Sequence, residues 1–310
     1  MIELSVGIIG VGRLGSDVAL TLAERDLCDI VLYDQVTEKA EYLASDLTDT
    51  SFGHVYNRRV SWASQLRDLA RCDVILLAAG APMKPGTKSE ELFAANREIV
   101  AELADAFVGS SNLFVVATEP IDLMTAELRR ALRLPAGRVL GIGGVVDSFR
   151  VRHAIGDALA VNPDYVRTHV IGPNSADAQI LWDFTAVNGV PVSMIASGEV
   201  IAEVERSFTE DAKDRLERMK ESTSRYAPAM ACFELLRAIV KDDRRIMSVT
   251  MEWTNTLDIS NVAMSVPAVV GRFGVDRVVI PELPDKTQKL LEEMAKSYSS
   301  LLTASIEVTG

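Results

Sequence analysis

Three histidines and three cysteines are all that a chain of 310 residues provides. His54, His153 and His169 are too few and too scattered to make a histidine-based zinc site. Cys28, Cys72 and Cys232 are odd in number, far apart and without a Cys-x-x-Cys pair. That pattern excludes a disulfide framework and predicts reduced thiols in a cytoplasmic protein. Basic residues are short as well: 32 Lys and Arg face 44 Asp and Glu, a net charge of −12. Nucleic acid and anionic membrane surfaces are therefore excluded as expected partners. A small anionic substrate is not, because pocket charge is local. No apolar run is long enough to span a bilayer. Met1-Ile2-Glu3-Leu4 enters an apolar run without a charged leader, so neither a signal peptide nor a membrane span is expected. Internal repeats and low-complexity segments are missing too. What is present is 48% hydrophobic and 25% charged residues, the balance of a soluble two-domain protein with a sizeable core.

Gly10-Val11-Gly12-Arg13-Leu14-Gly15 follows the apolar run Leu4–Ile9 directly, and Asp34 ends the next apolar run. A strand, a glycine-rich turn and a helix in this order form a dinucleotide cradle. The first glycine permits the tight turn, the second lets the pyrophosphate approach the backbone, and the third lets helix pack on strand. The pyrophosphate then meets the open N–H groups of the helix N-terminus. Asp34 stands at the offset where an acid accepts from the ribose 2′-hydroxyl. Gln35, Val36 and Thr37 offer no cation for a 2′-phosphate, so NAD is expected rather than NADP.

Apolar runs alternate with helical patterns through the first half. Strands are expected at Leu4–Ile9, Ile30–Tyr33, Val74–Leu77, Leu113–Val116 and Val139–Ile142, with helices near 13–25, 36–48, 90–107 and 122–132. That alternation predicts a parallel sheet with helices on both faces and a ligand at the carboxyl ends of the strands. The second half has apolar segments Val166–Ile171 and Val192–Ile195, a charged helix over 199–220, an apolar helix over 227–241, short strands, and an amphipathic helix near 284–302. This predicts a mixed α+β domain, with the boundary near residue 143.

Further segments fall in a specific order: Ala78-Ala79-Gly80-Ala81-Pro82-Met83-Lys84-Pro85-Gly86 before a helix containing Asn96, then Thr118-Glu119-Pro120-Ile121-Asp122, Asp147-Ser148-Phe149-Arg150, Tyr226-Ala227-Pro228-Ala229 and Ser265-Val266-Pro267. In this order and spacing the chain resembles the lactate/malate dehydrogenase family over essentially its whole length. The Tyr-Ala-Pro-Ala segment and the Lys-Pro-Gly loop resemble the malate-type branch more closely. The resemblance implies an N-terminal doubly wound Rossmann domain over residues 1–143 and a C-terminal α+β substrate domain over 144–310. It also implies NAD, a small-molecule substrate, self-association as a dimer or tetramer, and hydride transfer to or from a 2-oxo or 2-hydroxy acid. The implied cofactor-binding residues are Gly10, Gly12, Arg13, Leu14, Gly15, Asp34, Ala79, Gly80, Asn96 and Thr118.

In that family a histidine moves the hydroxyl proton, an aspartate orients it, one arginine forks onto the substrate carboxylate, and loop arginines polarise the carbonyl and bind a second carboxylate. Asp147 and Arg150 match the aspartate and the carboxylate-binding arginine. Asn174 stands where the histidine belongs, Met83 and Ser89 where the loop arginines belong, and Glu119 where an asparagine belongs. Asn174 has no proton to give near neutral pH. Losing Met83 and Ser89 as arginines removes two bidentate contacts, so a dicarboxylate is expected to bind poorly. The pocket charge is inverted, which suits a neutral or cationic substrate group. Glu119, close to the nicotinamide and partly buried, is expected to have a raised pKa and to serve as the substitute acid or to pair with an iminium. The bland alternative is that it turns to solvent. Lys84 and Lys88 lie on the substrate loop. Lys88 reads as a solvated lysine, with a point charge reaching inward as the alternative. His54 is expected in a loop, His153 at an interface and His169 in a strand, a displaced relay from any of them being the alternative. Three functions stay open: a dehydrogenase with an altered substrate and proton donor, a catalytically silent NAD-binding protein, and an ordinary malate or lactate dehydrogenase with a substitute acid.

Overall fold

The apolar runs become strands because they are buried on both faces, as strands sandwiched between helices must be. The computed structural model describes residues 4–54, 56–81, 87–218 and 224–307. The first half runs β1 (Ser5–Ile9), α1 (Arg13–Glu24), β2 (Asp29–Tyr33), α2 (Thr37–His54), β3 (Val60–Trp62), β4 (Val74–Leu77), α3 (Ser89–Ala106), β5 (Leu113–Val116), α4 (Ile121–Leu132) and β6 (Val139–Gly141). The pairings β3-β2-β1-β4-β5-β6 are all parallel. Strand order reverses between β1 and β4, which opens a crevice at their carboxyl ends. The expected doubly wound sheet is therefore present. Strand β3 has no counterpart among the expected elements: Val60-Ser61-Trp62 is a short edge strand with no apolar run to mark it.

The second half continues with α5 (Gly143–Ala158), β7 (Val166–Arg167), β8 (Val170–Ile171), β9 (Gln179–Ile180), β10 (Ala186–Val187), β11 (Val190–Pro191), α6 (Val192–Ile195), α7 (Gly198–Arg218), α8 (Tyr226–Val240), β12 (Arg245–Glu252), β13 (Ala263–Gly271), β14 (Gly274–Val278) and α9 (Asp285–Glu307). Segment 166–171 is thus two short strands that pair with different partners, β7 with β10 and β8 with β9. Val192–Ile195 is a single helical turn entered from Pro191, whose ring fixes a backbone angle suited to a helix start.

The larger difference lies after α8. The strands there are long, eight and nine residues for β12 and β13, and they extend the first sheet. Antiparallel β14-β13-β12 joins β6 through Gly141 opposite Thr250, giving nine strands in one sheet. Glu252 at the end of β12 is buried and pairs with Arg129 and Arg130 of α4 at 3.5 and 3.4 Å. The helix that follows β5 is thereby tied to the second half. Gly143 and Gly144 start α5 hard against the same strands: a Cβ on Gly144 would stand 2.7 Å from Ser265 Cβ.

Candidate active site

The glycine turn between β1 and α1 has the shape its sequence implies. Gly10 takes φ +91°, in the left-handed region. A Cβ on Gly15 would lie 1.9 Å from the Gly10 carbonyl oxygen, so helix and turn approach as only glycine allows. A Cβ on Gly12 would meet nothing within 4 Å, which leaves open space where a pyrophosphate approaches. Arg13 is exposed at the helix start, whereas the Leu14 side chain packs into the core and offers a ligand only its backbone. Asp34, at the end of β2, accepts the Val11 N–H on Oδ2 and the Val36 N–H on Oδ1, both at 3.0 Å. These two bonds aim the carboxylate at a cavity of about 470 Å³ that Gly10, Gly12, Ala79, Gly80 and Asn96 also line. Cradle, open space and acid fit a dinucleotide. Lys39 of α2 lines the same cavity, a cation that the Gln35-Val36-Thr37 stretch did not reveal.

Asn96 and Thr118 fasten the loops beside this cavity. Asn96 accepts the Ala81 N–H and donates to the Glu119 carbonyl, both at 2.7 Å. Thr118 donates to the Ala79 carbonyl at 2.6 Å. Together they lock the loop after β4 to the loop after β5. That second loop turns at a cis Glu119–Pro120 peptide into α4.

A compact polar cluster follows. Asp147 and Arg150 lie one turn apart on α5, with Arg150 Nη1 2.7 Å from Asp147 Oδ1. Asp147 is buried and the Arg150 side chain is a quarter exposed. Glu119 is exposed, although protein crowds its carboxyl, and its Oε2 accepts the Ile121 N–H at 3.2 Å. Enclosure raises its pKa, as expected from sequence. The Ile121 N–H and the Arg150 charge oppose the rise, the nearby Asp147 adds to it, and the Asn174 side-chain amide, reaching toward the carboxyl, favours the ionised form. Asn174 packs on the start of α5, where a Cβ on Gly143 would stand 3.0 Å from Asn174 Cβ.

Two members of the cluster were not singled out from sequence. Asp122, in the first turn of α4, accepts the Asn174 backbone N–H at 2.7 Å and the Thr250 hydroxyl at 3.1 Å. Burial pushes its pKa up to about 7 against the pull of those two bonds, and Glu119 and Asp147 push the same way. Tyr298 of α9 packs against the cores of both sheet faces, and its phenol is held protonated by burial, Asp122, Asp177 and Glu119. No local sequence signal marks Tyr298, because it reaches the site from the far end of the chain. Asp122 was legible only as the last residue of the Glu-Pro-Ile-Asp segment.

Other expected residues fall elsewhere. Met83 and Lys84 lie outside the described residues. Lys88 and Ser89 are exposed at the start of α3. His169 is not in a strand as expected but half-buried in the link between β7 and β8, beside Ser248 and edge-on to Phe184, and desolvation lowers its pKa to about 4. That places it in the packing of the second half and not against Glu119. His153 is exposed beside Asp157. No helix among the described residues is long and apolar enough to cross a membrane, and none of their side chains form a cluster able to hold a metal ion.

Residues 4–141 match the model of the lactate/malate dehydrogenase NAD-binding domain, and residues 145–308 match that of the family's α/β C-terminal domain. A malate dehydrogenase from Nostoc is 30% identical over 94% of this chain and 91% of its own. One from Staphylococcus saprophyticus is 28% identical over 98% and 99%. Among solved structures, Cryptosporidium parvum malate dehydrogenase superposes with a TM-score of 0.91 at 25% identity over 99% of this chain and 100% of its own. The lactate dehydrogenase of that organism, solved with lactic acid and nicotinamide adenine dinucleotide, gives 0.90 at 25% over 98% of each chain. The NAD cradle, the substrate-domain fold and these likenesses agree: the chain belongs to the lactate/malate dehydrogenase family, on its malate-type side, and is an NAD-dependent oxidoreductase.

Proposed function

We propose that this oxidoreductase acts on a 2-oxo or 2-hydroxy monocarboxylate, or a related imine, with a neutral or cationic group where malate carries its second carboxylate. NAD, when bound, supplies the hydride acceptor or donor. Gly10, Gly12, Gly15 and Asp34 hold it, with Ala79, Gly80, Asn96 and Thr118 shaping the wall. Arg150 spends one edge on Asp147 and forks onto the substrate carboxylate with its remaining N–H groups. Glu119 carries the proton that a histidine carries elsewhere in the family, and Asn174 steers it. The observation that supports this most is the Glu119 carboxyl itself, accessible to solvent, raised in pKa and faced by the Asn174 amide. The surplus of carboxylates over Arg150 argues against a second substrate carboxylate.

The division near residue 143 separates these cofactor and substrate roles. Self-association is favoured by exposed Tyr42 and Phe52 on α2 and Tyr226 and Met230 on α8. The three thiols are free and buried, which favours a cytoplasmic location.

The test is NADH oxidation across a panel of 2-oxo acids, with and without ammonium. Turnover is expected for monocarboxylates and not for oxaloacetate. Preference for oxaloacetate would show an ordinary malate dehydrogenase. NADH binding without any turnover would show a catalytically silent protein.

A second expectation concerns the cofactor. Asp34→Asn keeps the shape of the side chain and removes its charge. A hydrogen bond to a charged group is worth roughly 1.5–3 kcal/mol, so NADH should bind about 10- to 100-fold more weakly in a fluorescence titration. An unchanged Kd would remove Asp34 from the ribose site.

A further inference from the structure

Asp122 has no role in the reading above, yet it is the most firmly held group of the cluster. It is 3% exposed, and both of its oxygens are engaged. Oδ2 takes the backbone N–H of Asn174 at 2.7 Å, and Oδ1 takes the hydroxyl of Thr250 at 3.1 Å. Thr250 Oγ1 lies 3.1 Å from Ser265 Oγ, and Ser265 exchanges both backbone hydrogen bonds with Gly172, two residues before Asn174. The loop that presents Asn174 is thus fixed at its root by β13 and at Asn174 by one carboxylate.

We propose that Asp122 is a positioning residue whose ionised carboxylate clamps the Asn174 backbone and so sets the Asn174 amide against Glu119. A carboxylate is an acceptor on both oxygens, whereas a carboxylic acid turns one of them into a donor. Protonating Asp122 therefore costs one of its two bonds and loosens the clamp. Its titratable neighbours are Glu119, Asp147 and the Tyr298 phenol. The first two repel the Asp122 charge, and the phenol stays neutral. With burial they bring the release into the neutral range, where an exposed aspartate would need strong acid. The consequence for turnover rests on the Glu119 reading, but the clamp itself does not.

The clamp can be read without turnover. In the full-length, NADH-bound protein labelled with a nitrogen isotope at asparagine, the Asn174 backbone amide proton is expected downfield in base. It should move upfield as the pH falls through neutrality. Asp122→Asn abolishes that titration. Thr250→Val removes a donor from the ionised form and moves the midpoint up by about 1 pH unit, so the test survives if Asp122→Asn does not fold. A pH-independent Asn174 amide overturns the proposal whatever the kinetics, and Asp122 then serves packing alone. A titrating amide in a protein that turns over no 2-oxo acid keeps the clamp and overturns the Glu119 assignment. Where turnover is present, a fall in the reduction rate on the acid side is expected to vanish in Asp122→Asn with NADH affinity unchanged.

Discussion

Glu119→Gln is expected to lower kcat for reduction of the preferred 2-oxo acid by roughly 10²–10⁴-fold, the usual contribution of a positioned acid. The substitution keeps volume and the bond from Ile121 N–H but leaves nothing to ionise. NADH affinity should not move, because the bond that ties Glu119 to the cofactor wall, from Asn96, is to its backbone carbonyl. The pH profile separates loss of an acid from loss of shape. The Glu119 carboxyl titrates above the ordinary carboxylate range, mainly because protein encloses it. Reduction needs it protonated, so the wild-type reduction rate falls as pH rises through that raised pKa. Oxidation needs it ionised, so the oxidation rate climbs over the same interval. Both limbs should disappear in Glu119→Gln. A variant that retains its limbs, or loses less than about threefold in kcat, would leave Glu119 as no more than an acceptor for the Ile121 N–H. Asn174→His in the Glu119→Gln background should recover part of the loss, since it restores an ionisable group at the family's position.

Arg150→Leu should strike binding and folding together. The guanidinium is ion-paired with the buried Asp147, at 2.7 Å. Removing one partner of a buried pair costs roughly 3–5 kcal/mol, because the remaining charge loses its compensation. A thermal or denaturant melt at neutral pH should show that loss. The substrate carboxylate loses a forked contact as well, so KM should rise at least 10-fold with NADH affinity unchanged. Arg150→Lys is the discriminating control. It restores charge for Asp147 and much of the stability, but a point charge does not fork, so KM stays high. Full recovery of KM in Arg150→Lys would show that Arg150 is only the counter-ion of Asp147.

The cofactor half was legible in the sequence because its information is local. Gly10, Gly12, Gly15 and Asp34 lie within one strand–turn–helix–strand unit, and each glycine does in space what its spacing implies. Asp147, Arg150 and Asn174 were legible by position within a known pattern. The long antiparallel strands were obscured by the site itself. Ser248, Thr250, Glu252 and Ser265 interrupt β12 and β13 with buried polar groups, and Pro267 sits inside β13. Those interruptions read as short strands and breaks. They are there because Thr250 and Ser265 support Asp122, and Glu252 holds the two arginines of α4. Tyr298 was invisible for a different reason: α9 returns to the site from nearly 180 residues beyond Glu119, and no periodicity encodes that distance.

The joint between β6 and β12 has an architectural consequence. Val139 and Leu140 are fully buried because β6 has a strand on each side. Cutting the chain after Ile142 would strip one neighbour away and present an apolar, hydrogen-bonding margin to solvent, the kind of margin that recruits foreign strands. The nucleotide half is thus a poor transplant. Grafted elsewhere or expressed alone, it would be driven to stick to copies of itself. Supplied with its severed remainder, it would have a ready seam along which to knit. The same seam makes the halves one inheritance: neither could be exchanged for a relative's without matching the strand at the join.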